Sequence, residues 1–132
     1  MEYAVFEEIE KNTIHIKFSS SLPSVDSFNQ YLNMLSEVVK NGKNLYLIFD
    51  ASYAPYIPGE LRKMQADWIK ANQKIVLSSV IIAIYVIPNA IQRYVLNAIY
   101  LLQKPVVAYK IVSSFKAAIN YLHKEQNRRN VA

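Results

Sequence analysis

The chain has 132 residues, no cysteine and a net charge of +5, with 52% apolar and 19% charged residues. That size and balance suit one folded domain with one core and exclude a disordered chain. The missing cysteines exclude disulfides, thiolate metal sites and cysteine nucleophiles. The fifteen Lys and Arg residues are scattered, densest in the modest tail KEQNRR (124–129), so a solvated basic surface is expected rather than a nucleic-acid site.

Along the chain, Tyr3 to Ile9 and Thr13 to Phe18 read as two strands around the polar turn Glu10-Lys11-Asn12. In the second, Ile14, Ile16 and Phe18 alternate with His15 and Lys17, so one face is expected to be wet. Ser24 suits an N-cap for an amphipathic helix from Val25 to Lys40. Its arc of Phe28, Tyr31, Leu32, Leu35, Val38 and Val39 faces the core, and Gly42 suits a left-handed stop. Leu45 to Phe49 is a continuous apolar strand of the buried parallel kind. Pro58 opens a second helix running to about Gln73, with an inner stripe of Leu61, Met64, Trp68, Ala71 and Ile75. Its Glu60, Lys63, Asp67 and Lys70 are spaced for surface ion pairs.

Val80 to Val86 is a second apolar strand. Pro88-Asn89 breaks it before a third helix, Ala90 to Gln103. Pro105 closes that helix, Val106 to Val112 is an edge strand, and Ser113 or Ser114 caps a last helix with Phe115, Ala118, Ile119 and Leu122 inward. Residues 127–132 are expected to form a flexible tail beyond a domain spanning 1–126. The order β-β-α-β-α-β-α-β-α predicts an α/β fold with a five-stranded, mixed, mostly parallel sheet and four helices. The acidic, alternating MEYAVFEEIE is unlike a signal peptide, and the longest apolar run, Val80 to Ile87, is too short to span a bilayer, so a cytoplasmic protein without a transmembrane segment is expected.

The segment NLYLIFDASYAPYIPGEL (44–61), the later VIIAIYVIPNAIQRYVLNAIYLLQKP and the closing FKAAINYLHKE, in this order after a hairpin and an amphipathic helix, resemble the SpoIIAA-like (STAS/Sec14-type) family over nearly the whole chain. The resemblance implies a SpoIIAA-like (STAS-like) single-domain fold. In classical members, which antagonise anti-sigma factors, a serine opening the helix after the third strand is phosphorylated by a partner kinase. The family pattern there is roughly isoleucine, aspartate, serine, serine, glycine, leucine. This chain has Ile57, Pro58, Gly59, Glu60, Leu61, so that serine is absent and Glu60 stands near the helix N-terminus. The resemblance therefore implies the uncharacterised branch bordering lipid-binding Sec14 domains, and with it a small nonpolar or lipid-like ligand.

Ligands of open α/β sheets bind beyond the carboxyl ends of the strands, which singles out Asp50 and Ser52. The alternative is that Asp50 only caps its own loop through backbone N–H groups. Tyr53, Pro55, Tyr56, Ile57 and Pro58, with Gly59, form an aromatic and proline-rich rim that either lines an apolar pocket or packs as a lid on the core. On the third helix, Ala90, Ile91, Tyr94, Val95, Ala98, Ile99, Leu101 and Leu102 share the expected core face. Arg93, Leu96 and Tyr100 fall on the polar side and are expected to be exposed, as a self-association surface. His15 reads as a surface strand residue, and His123 as a cation near a helix C-terminus. No metal-ligand spacing, phosphate loop or nucleophile elbow occurs, and no cofactor is expected.

The leading expectation is thus a non-enzymatic binding or regulatory module that forms a homo-oligomer and holds a small nonpolar ligand or a protein partner near residues 50–59. A phospho-regulated antagonist using a displaced serine, Ser52, comes second. A hydrolytic enzyme using Asp50 with a tyrosine hydroxyl comes third.

Overall fold

In a computed structural model describing residues 2–131, β1 (Ala4–Glu10) and β2 (Thr13–Phe18) form a hairpin. Asn12, at φ 61°, supplies the left-handed residue of its turn, a conformation asparagine tolerates. There follow α1 (Val25–Asn41), β3 (Leu45–Asp50), α2 (Gly59–Ala71), α3 (Gln73–Ser79), β4 (Val80–Val86), α4 (Ala90–Leu102), β5 (Ala108–Val112) and α5 (Phe115–Val131). The sheet has the strands in chain order, β1-β2-β3-β4-β5. β1 is antiparallel to β2, and every later pair is parallel.

Each parallel crossover therefore steps one place in the same direction across the sheet. Crossovers of one hand must then lay their helices on one face. Residues of α1, α2 and α4 indeed share a core with Tyr3, Ala4, Ile16, Leu45 and Leu47. The other face, with Tyr46, Ile48, Ile82, Ile84 and Val86, is covered by α5 through Ala118 and Leu122. The α/β class and the five-stranded mixed sheet are as expected.

Among the described residues there are five helices instead of the expected four. α2 stops at Ala71 because Asn72 leaves helical geometry (φ −112°, ψ 18°) and turns its side-chain amide back onto the Trp68 carbonyl at 2.8 Å. The chain then coils again as α3 and enters β4 without a loop. Of the expected ion-pair ladder, Lys63–Asp67 closes at 2.8 Å. α5 runs through Val131, so residues expected in a loose tail are helical; Ala132 lies outside the described residues. Ser114 caps its start, accepting from the Ala117 amide at 3.1 Å, and Glu10 receives His123 at 3.1 Å and Gln126 at 3.3 Å, tying its far half to the hairpin.

Ser24 caps α1 through a reciprocal box with Ser27: the Ser27 amide donates to Ser24 Oγ at 3.0 Å and the Ser24 amide to Ser27 Oγ at 2.9 Å. Gly42 is not left-handed. Its φ is −109°, and Asn44 takes φ 54° two residues later. The demand on Gly42 is spatial instead, because a Cβ there would sit 2.7 Å from Leu45 Cδ1.

The face of α4 is the main correction. Gln92, Val95, Leu96 and Ile99 are buried, and Tyr100 is half-buried. Ile91, Tyr94, Leu101 and Leu102, expected inside, are 62%, 60%, 88% and 60% exposed. Apolar residues lie on both the inner and the outer arc of this helix, and the buried arc also carries polar atoms with partners inside the protein. The Gln92 amide nitrogen donates to the Ala54 carbonyl, and the Tyr100 hydroxyl bonds that of Tyr85. With their polar tips satisfied, both residues can turn inward.

Candidate functional site

β3 alternates its side chains between the two faces, as a strand must. Leu45, Leu47 and Phe49 face α1, α2 and α4, whereas Tyr46 and Ile48 face α5. Asp50, two residues beyond Ile48, ends the strand on the α5 side and is only 5% exposed. Register places Lys17 opposite Asp50 and His15 opposite Ile48, so His15 stands diagonally beside the carboxylate. His15 Nε2 lies 2.8 Å from Asp50 Oδ2. Asp50 Oδ1 accepts from the Ser52 amide at 3.0 Å and from the Ser52 hydroxyl at 2.5 Å. The Phe115 ring, at the start of α5, packs on the imidazole with centroids 4.5 Å apart.

Burial on its own would push the Asp50 carboxyl up. The His15 hydrogen bond and the two from Ser52 outweigh burial and bring it down to about 2. Asp50 is therefore ionised at neutral pH and only accepts, so His15 Nε2 carries the proton that joins them. The aspartate is the centre of this cluster, with serine and histidine both pointing at it. A serine nucleophile needs the base between itself and the acid. The geometry fixes a loop rather than arming a hydroxyl. Among the described residues, Asp50's hydrogen-bond partners are His15 and Ser52.

The loop after β3 splits its side chains. Ala51, Ala54, Pro55 and Ile57 point toward the helix-rich face and line a cavity there. Tyr53 and Tyr56 point outward, 67% and 45% exposed. Lys17 Nζ lies 5.5 Å from the Tyr53 ring centroid. Arg62 donates to the Tyr56 hydroxyl and, at 3.3 Å, to the Ile57 carbonyl, with its guanidinium also 6.0 Å from the Tyr94 ring. Pro58 and Gly59 are exposed and open α2, the Pro58 carbonyl accepting from the Leu61 and Arg62 amides. The loop is thus held at its start by Asp50, in its middle by Gln92 and at its end by Arg62.

The cavity has a volume of about 140 Å³ and lies between the sheet and α1, α2 and α4. Leu47, Phe49 and Tyr85 form its floor; Leu35, Trp68 and Ile99 stand among its walls. Val106 and Val107, expected in the last strand, precede β5 and border the cavity as well. No Asp, Glu, Lys, Arg or His lines it among the described residues. Its polar atoms are mostly matched within the protein: Tyr31 donates to Gln65 Oε1 at 2.8 Å, and the Trp68 indole donates to Ser36 Oγ at 2.8 Å. Burial drives the Tyr31, Tyr85 and Tyr100 phenols well up, so all three stay neutral donors at physiological pH.

The structure divides the residues singled out from the sequence. Asp50 and Ser52 meet on one face, Ile57 reaches the cavity on the other, and Leu96 and Tyr100 line that cavity instead of the surface. Arg93 remains exposed, so the surface drawn from Arg93, Leu96 and Tyr100 is not formed. His15 was missed as a partner of Asp50. The available signal was its place on the same strand face as Lys17, which becomes informative once β2 is paired with β3. Among the described residues, no cluster of three His, Asp or Glu side chains could hold a metal ion, and no helix is long and apolar enough to cross a membrane. No protein-family model, curated protein or solved structure matches the chain.

Proposed function

We propose that this chain is a binding module that holds a small nonpolar ligand in the cavity beneath α1, α2 and α4. The observation carrying this reading is an uncharged, largely apolar cavity of about 140 Å³ roofed by a tied-down loop. An apolar cavity of about 150 Å³ stays dry and takes up benzene, whereas drug-sized ligands need roughly 300 Å³ or more. The size therefore favours one aromatic ring or a short alkyl chain and disfavours a whole two-chain lipid. Benzene added to methyl-labelled protein should shift the Leu35, Val95 and Ile99 methyl resonances. It should leave Leu101, on the outer face, unmoved. Unchanged spectra at saturating benzene would remove the proposal.

A SpoIIAA-like regulatory module remains compatible with this reading, supported by the hairpin followed by alternating helices and strands. Self-association belongs to the same reading, moved to a second copy docking on the Ile91, Tyr94, Leu101 and Leu102 face, four large apolar side chains on one helix. A phospho-switch at Ser52 ranks below ligand binding. Its hydroxyl is occupied at 2.5 Å by the Asp50 carboxylate, so a phosphate would break that bond and set two anions side by side.

A further inference from the structure

We infer that the cavity selects an uncharged ligand bearing a hydrogen-bond acceptor, such as a ketone, aldehyde or ester, and that the Tyr85–Tyr100 hydroxyl pair is the donor that reads it. The inference rests on the ligand-binding reading above and narrows it to a chemical class.

The argument is a count of protons. Each tyrosine hydroxyl has one proton to donate and can accept. Tyr85 and Tyr100 are hydrogen-bonded to each other through their hydroxyls, and whichever donates uses one of the two protons. The second proton has no acceptor among the described residues. Tyr109, the third ring of the cluster, packs with centroids 6.0 Å from Tyr85 and 5.2 Å from Tyr100 but offers neither a hydrogen bond. Of the other tyrosines lining the cavity, Tyr31 spends its proton on Gln65, and Tyr3 packs its ring against Phe18, Phe28 and Tyr31. Both Tyr85 and Tyr100 line the cavity, so the surplus proton is answered by whatever occupies it. Tyr85 and Tyr100 are both half-buried, and a donor facing an apolar lining is better satisfied by an occupant that accepts than by one that cannot.

The same lining decides the ligand's charge. Among the described residues no cationic side chain borders the cavity, and an unpaired carboxylate taken out of water carries a heavy penalty. One hydroxyl donor cannot replace the hydration of an anion. The carbonyl of a neutral molecule needs one donor, which is what the pair provides.

Three molecules of equal heavy-atom count separate these requirements. 2-Hexanone carries the acceptor, 2-methylhexane replaces its oxygen by a methyl group, and pentanoate replaces the ketone's terminal methyl by a charged oxygen. Their dissociation constants are measured by methyl chemical-shift titration on the wild type and on the Tyr85→Phe/Tyr100→Phe double variant. That variant keeps both rings and removes both hydrogen-bonding partners together, so it leaves no orphaned group and folds normally. The expected result is a roughly fivefold weaker 2-hexanone affinity in the double variant, with 2-methylhexane unchanged, and no pentanoate binding to either protein at pH 7. Equal changes for the ketone and the alkane would overturn the hydroxyl pair as the reader while leaving the cavity as a binding site. Pentanoate binding as tightly as 2-hexanone would overturn the neutrality requirement. Failure of all three to bind the wild type would overturn the binding reading itself, and this inference with it.

Discussion

Replacing Asp50 by asparagine isolates the electrostatics of the cluster that anchors the loop. Asparagine keeps an oxygen for the Ser52 amide and hydroxyl but removes the charge that His15 binds. In the folded protein the Asp50 carboxyl falls from its ordinary 3.8 to about 2, the bonds from His15 and Ser52 overcoming burial. At 1.36 kcal/mol for each tenfold change in proton affinity, this is about 2 kcal/mol of stability. The sign follows from linkage. Between the two values the unfolded chain binds the extra proton, so stability is gained as pH rises. The full contribution is present above about pH 4 and is lost as the solution is acidified through about pH 2. Urea unfolding of the two proteins across pH 2 to 7 reads it directly, because all other carboxylates titrate in both and cancel in the difference. Asp50→Asn should be less stable by about 2 kcal/mol at pH 7, with the gap closing between pH 4 and 2. A gap of the same size at every pH would show that the variant disturbs packing and not charge, refuting the reasoning. His15→Gln should move the midpoint of this pH dependence upward, toward the ordinary carboxyl value.

Leu96→Asp tests the rotation of α4. Leu96 is 7% exposed and Leu101 88% exposed. A carboxylate at 96 should cost more than about 4 kcal/mol and unfold the protein at modest urea, through lost packing and an unpaired buried charge. Leu101→Asp should change stability by less than about 0.5 kcal/mol, and sedimentation of that variant reports whether the outer face of α4 joins two copies. If Leu101→Asp proves the more destabilising of the two, the helix is rotated the other way. Gly42→Ala should cost about 1–3 kcal/mol by pressing its methyl group into Leu45. Gly42→Asn should be worse than alanine, since the backbone there has negative φ and the constraint is room; an asparagine variant as stable as wild type would restore the left-handed cap.

The parts of the fold that could be read from sequence are those where a side-chain pattern and a backbone constraint coincide. Thr13–Phe18 and Val80–Val86 are strands over the expected spans because each is an alternating or continuous apolar run bounded by a clear interruption. The Ser24 cap is local, and so is the loop role of Asp50 toward Ser52. The His15–Asp50 contact joins residues 35 apart in sequence and exists only through the β2–β3 register, which neither residue specifies. The break at Asn72 was hidden for the opposite reason: helical residues continue on both sides of it, and one side-chain hydrogen bond decides where the first helix ends.

α4 joins these failures to the function. The hydropathy wheel puts Gln92 and Tyr100 outside with Arg93, and Tyr94 inside, because it weighs the side of the helix as a whole and not the partners each polar atom can find. Inside this protein the Gln92 amide ends on a loop carbonyl and the Tyr100 hydroxyl on a second tyrosine. Their cost of burial is met by those partners, and the outer face is left with Ile91, Tyr94, Leu101 and Leu102. The same two contacts hold the loop over the cavity and place the tyrosine pair in its wall. If they were incidental, Gln92→Leu would repack the helix and keep benzene binding. If they position the site, Gln92→Leu frees the Ala54 carbonyl, loosens the loop between Asp50 and Ile57, and weakens benzene binding without unfolding the sheet. Amide hydrogen exchange at Ala54 and Ile57, measured beside the benzene titration, separates the two outcomes: faster exchange together with weaker binding assigns the buried polar face of α4 to the site, and unchanged exchange assigns it to the core alone.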